Sequence, residues 1–148
     1  MITTLEQKVI LITPPGAIVD NAALTTASID TKGFHYLDVY VIFGAMDIAM
    51  ATLKMQYSNT DSAYTDVPNG NFATGTLPTG VAATLPSATS DNTIFAFHGQ
   101  TKKRFYDVSA TAGDGAAGTY CTIIAILSRA DESPNTTAER GFAQELFI

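Results

Sequence analysis

The chain has 148 residues, 46% apolar and 15% charged. That balance excludes a disordered polymer and suits one domain large enough to bury a core. A net charge of −6 and a pI near 4.6 exclude a protein that wraps nucleic acid with a basic surface.

The first residues, through Gly16, place Glu6 and Lys8 beside the apolar stretch. A secretory signal has a basic region followed by a long apolar one, so none is read here. No apolar run reaches the roughly 18 residues that span a bilayer. A soluble protein made in the cytoplasm of some cell is expected, with no membrane and no nucleic acid among its partners.

Val9 to Ile12 is a short β-branched run stopped by Pro14, Pro15 and Gly16. Ala17 to Asp20 resumes it, and Ala22 to Ile29 is small, apolar and rich in threonine. Asp30 to Gly33 is a turn signal. It opens the best-patterned stretch, Gly33 to Val67. Tyr36 to Phe43 is apolar but for Asp38, as in a strand covered on both faces. After the punctuation Gly44-Ala45-Met46-Asp47 the pattern alternates, with Ala49, Ala51, Leu53, Met55 and Tyr57 on one side and Met50, Thr52, Lys54 and Gln56 on the other. Two strands across a short turn predict a β-hairpin at the centre of the core. Ser58 to Ser62 ends the second strand, and Tyr64 to Val67 extends the hairpin or adds one more short pairing.

Pro68 to Ser90 has no charged residue. Loops longer than about 12–15 residues are uncommon in compact domains, and disordered linkers normally carry charge. Two readings fit: an ordered arm lying on another surface, or a surface loop with a strand or two inside it. Strands return at Thr93 to His98 and at Arg104 to Ala110, where Phe105 and Asp107 oppose Tyr106 and Val108. Ala112 to Gly118 is read as a hairpin loop. Thr119 to Ser128 is the second solid apolar run, a central strand expected beside the first. The tail begins polar at Arg129 and turns apolar from Phe142 to Ile148.

Seven or eight short strands without a sustained helical period predict an all-β fold. It is a single antiparallel β-sandwich, jelly-roll-like, with an extended loop and a terminal arm. The sandwich domain is placed at residues 1–128, with the loop excursion at 68–90, and the tail at 129–148.

Little in the chain announces chemistry. His35 and His98 lie in predicted strands without metal-ligand spacing, and a strand histidine is usually a hydrogen-bonded structural residue. Phosphate loops, dinucleotide fingerprints and nucleophile elbows are missing from the sequence. Gly113-Asp114-Gly115 reads as a tight turn. Asn59, Asp61 and Asp66 offer oxygens to a hard cation, but turn capping explains them without one. Asn135-Thr136-Thr137 matches a glycosylation sequon, which carries no weight without a secretory signal. Cys121 sits in an apolar run with no base beside it, as a small buried side chain does. Lys102-Lys103-Arg104 reads as a solvated strand end. No catalytic residue, cofactor or metal is assigned.

The ordered combination Asp30-Thr31-Lys32-Gly33-Phe34, the apolar run, Gly44, Leu53-Lys54-Met55-Gln56-Tyr57-Ser58 and Tyr64-Thr65-Asp66-Val67 resembles small head proteins of tailed bacteriophages and prophages. These are capsid decoration, or cement, proteins and related virion components. The match covers residues 30 to 67, and Thr119 to Ser128 resembles the final strand of such proteins. The resemblance implies a non-enzymatic part on the capsid exterior, commonly a homotrimer, that clamps neighbouring copies of the major capsid protein.

Extended uncharged segments suit that role because weak contacts repeated over a lattice sum. Phe72, Leu77, Val81 and Leu85 of the loop and Phe142, Leu146, Phe147 and Ile148 of the tail are therefore the candidate contacts with the major capsid protein or a neighbouring copy. A carbohydrate- or receptor-binding sandwich displayed on the virion is the alternative, as is another head or tail component. The absence of tryptophan counts against a typical sugar platform.

Overall fold

The computed structural model describes residues 6–134 and 136–147. The described residues form eight strands: β1 (Lys8–Thr13), β2 (Ile29–Asp30), β3 (Phe34–Met46), β4 (Thr52–Ser58), β5 (Thr65–Asn71), β6 (Ile94–Gln100), β7 (Phe105–Thr111) and β8 (Thr119–Ala130). They build two four-stranded antiparallel sheets, a front sheet ordered β1-β8-β3-β6 and a back sheet ordered β2-β7-β4-β5. The pairs β1 with β8, β2 with β7, β3 with β6 and β4 with β5 are those of one long chain folded back on itself. Successive pairs then alternate between the sheets, which is the winding of a jelly roll.

Alternation decides which side chains enter the core. Leu37, Val39, Val41 and Phe43 of β3 and Ile123, Ala125 and Leu127 of β8 are buried. They meet Leu53 and Met55 of β4 and Tyr106, Val108 and Ala110 of β7 from the back sheet. Phe43 is almost fully buried and meets Phe95 edge to face, with 5.6 Å between ring centres. Aromatic pairs in this arrangement add to their area burial.

The hairpin expected across Gly44 to Asp47 does not form. β3 and β4 lie in opposite sheets, so this turn is the crossing from front to back. Both strands carry a strongly apolar face, and those faces bury most area against each other across the sandwich, not side by side. The consecutive hairpin is β4 with β5. The segment Ala112 to Gly118 likewise crosses between sheets, from β7 to β8. It is held by Asp47, whose carboxylate accepts the backbone N–H groups of Ala116 and Ala117 at 2.5 Å and of Gly118 at 3.1 Å. As expected, β3 and β8 are neighbours in the middle of their sheet.

A candidate contact surface

The two sheets differ on their outer faces. Directly opposed residues share a face, so the pairings define rows across the front sheet. One row runs Leu11, Ile124, Tyr40, Ala96; the next runs Val9, Ile126, Asp38, His98; a third runs Thr122, Ile42, Ile94. Leu11 is 53% exposed and Ile94 61%, while Ile124, Ile126 and Tyr40 are half-buried. The one carboxylate in these rows has a partner within the face: Asp38 lies 2.6 Å from the His98 ring, which Tyr40 meets edge on.

The back sheet presents Thr52, Lys54 and Gln56 opposite Thr111, Ser109 and Asp107, with Asp66 beside Gln56. That is the polar outer face an antiparallel sheet normally turns to water. The solid runs of β3 and β8, read as covered on both faces, find cover on one face from their own chain. The other stands open. Those runs were the sequence signal for this surface, and the candidate contacts left it out.

The candidate contacts of the loop separate into two kinds. Pro68 to Asn71 belong to β5, and the rest of the excursion lies on its own sandwich. Phe72 donates its N–H to Leu53 and packs its ring 5.1 and 5.0 Å from those of Phe95 and Phe97. Leu85 is half-buried against the core, beside the fully buried Pro86. Leu77 and Val81 are exposed at a tight turn, where the Leu77 N–H donates to Val81 and the Asn69 amide clamps Thr76.

In the tail Phe142 and Phe147 are exposed, and Leu146 is 92% exposed. Ile148 lies outside the described residues, as does Asn135 of the sequon. The tail is anchored by the buried Arg140, which ion-pairs with Glu145 and donates to the Pro134 carbonyl at 2.8 Å. The Arg140 carbonyl accepts the Val9 N–H at 2.8 Å, closing the free edge of β1. The bond from Arg140 holds the Glu145 carboxyl below its usual range.

A cleft of about 470 Å³ opens between the β5 and β6 edges. Its floor is core: Leu37, Met55 and Tyr106. Much of its polar rim is spent within the fold. Asn69 bonds Thr76, the Tyr106 hydroxyl accepts the Lys102 N–H, Gln100 donates to the Tyr36 hydroxyl, and His98 meets Asp38. It is a seam in the sandwich, most of whose polar side chains are already engaged.

The remaining polar residues serve local structure. His35 meets Asp131 at 2.7 Å. Asp61 accepts the hydroxyls of Tyr64 and Ser28, whereas Asp66 turns to Lys54 and Gln56, so the two carboxylates do not share a site. Asp30 takes both forks of Arg104, chiefly through that bond holding its carboxyl low. Lys103 lies over the Tyr57 ring. Among the described residues, no three His, Cys, Asp or Glu side chains converge as a metal site would need.

Neither a family model nor a curated relative matches the sequence. Among solved structures, the SPBc2 prophage-derived protein YomS superposes with a TM-score of 0.44 at 12% identity, over 83% of this chain and 93% of that one. The neighbour is thus a prophage-derived protein. At that score and identity the likeness does not bear on what this chain does.

Proposed function

We propose that the chain is a non-enzymatic virion structural protein. It decorates the outside of a capsid and braces the lattice of the major capsid protein after synthesis in the host cytoplasm. The observation that carries this reading is the amount of apolar side chain left on the surface by the loop and the tail: Leu77 and Val81 on the one, Phe142, Leu146 and Phe147 on the other. Contiguous exposed apolar surface marks a contact site. The resemblance of residues 30 to 67 to phage head proteins supports the same reading.

The experiment is co-sedimentation of the purified protein with capsid shells of the phage that encodes it, followed by cryo-electron microscopy of the decorated particle. Binding at regular lattice positions is expected, weakened by deletion of residues 142–148. Shells that pellet without the protein, at concentrations well above micromolar, refute the role. Binding and oligomer size both unchanged by the deletion refute the part given to the tail.

A further inference from the structure

We infer that the outer face of the front sheet is covered by the same face of a second copy of this chain. The face is apolar along its rows, from Leu11 through Ile124 and Tyr40 and again from Ile42 to Ile94. Both long strands are built for cover on two sides, and the back sheet supplies one. At ~3.4 Å per residue and ~4.8 Å per strand, the four strands present about 600 Å². That approaches the ~800 Å² per partner of a standard interface and far exceeds what a small ligand needs.

Charge narrows which face two copies could share. Each chain carries −6, so two copies repel through most surfaces they could offer each other. The front face is the exception, because the three rows named above carry a single carboxylate, that of Asp38, which lies 2.6 Å from the His98 ring within the face. Stacking the face on itself lays apolar rows on apolar rows by symmetry, as an isologous twofold contact requires. Two sheets then pack in the aligned manner of a sandwich, about 10 Å apart. This pairing is twofold, unlike the threefold that the resemblance to cement proteins implies. It also stands apart from the capsid reading, since a protein of any other role would show the same mass.

The test is sedimentation equilibrium of the whole chain from about 1 to 300 μM, for the wild type and for Leu11→Lys with Ile94→Lys. Both positions are already exposed, so the substitutions spare the core. A second pair, Leu11→Ser with Ile94→Ser, guards against misfolding of the first. A wild-type dimer is expected, with its dissociation constant raised at least a hundredfold by the lysine pair at an unchanged near-ultraviolet spectrum. Ser109→Lys on the back face is expected to leave the mass unchanged. A monomer at every concentration, a trimer of any kind, or a dimer that survives both front-face pairs overturns the inference. So does a front-face variant that loses capsid binding while its mass stays that of the wild type, since the face then serves another protein.

Discussion

Thr119, at the start of β8, is fully buried, and its hydroxyl oxygen has no hydrogen-bond partner among the described residues. Its backbone is satisfied on both sides by Val19, at 2.8 and 3.0 Å. A desolvated hydroxyl without a partner is a cost that an apolar side chain of the same shape removes. Thr119→Val is therefore expected to stabilise by about 1 kcal/mol, read as a higher urea midpoint at unchanged slope. A lower midpoint would show that the hydroxyl is bonded. Cys121 was legible from its apolar neighbours, and burial pushes its thiol up to about 12. Since the thiolate is the reactive form, alkylation at pH 8 is expected to run on the order of a hundredfold slower in native than in urea-unfolded protein. Equal rates would place the sulfur in water. Thr119 left no signal in the sequence, because whether a buried hydroxyl finds an acceptor depends on a backbone a hundred residues away, at Val19.

The strands were legible wherever a residue's neighbours in sequence decide its face. The alternation of β4 and β7 and the solid runs of β3 and β8 all became strands in the expected places. Apart from the adjacency of β3 and β8, strand partners were not legible. Gly44 to Asp47 and Ala112 to Gly118 carry the punctuation of hairpins, yet each crosses between sheets, because punctuation marks where a strand ends and not where the next one goes. Of the candidate contacts, Phe72 and Leu85 look in sequence like Leu77 and Val81. Only the fold turns the first pair toward Phe95, Phe97 and the core. The tail depends on Gly141, whose φ of +87° belongs to glycine and whose missing Cβ leaves room for the Val9 carbonyl. Gly141→Ala is expected to free the tail from the β1 edge. The Val9 amide should then exchange hydrogen much faster while the unfolding midpoint moves little. Unchanged exchange at Val9 would mean that the tail is not held there.

Across the whole molecule, acid removes several supports together. The carboxyls of Asp30, Asp66 and Glu145 are held low chiefly by Arg104, Lys54 and Arg140, and that of Asp47 chiefly by the Ala117 N–H. A carboxyl with a lowered folded-state pKa is protonated first in the unfolded chain, so stability rises with pH through that range. These contributions are complete above the ordinary carboxylate values near about 4 and fade as the pH falls below them. Urea midpoints are expected to be level from pH 7 to 5 and to drop steeply from pH 4 to 2. A flat profile to pH 2 would mean that these pairs add nothing to the fold.

The fold-back pairing also sets when the protein can form. Lys8 lies opposite Leu127, so β1 waits until β8 has been made before it has its strand partner. β4 and β5 are neighbours in sequence and can meet early, whereas each later pair closes a longer loop at a growing entropic cost. On a ribosome, which releases residues from the N-terminal end, the first strand emerges long before its partner β8. A chain cut after Gly118 is expected to show no cooperative unfolding transition by circular dichroism, and a sharp transition would contradict this order. The sandwich should thus complete itself only once β8 has emerged, and until then β1 and β3 are open edges for chaperones or for other nascent copies.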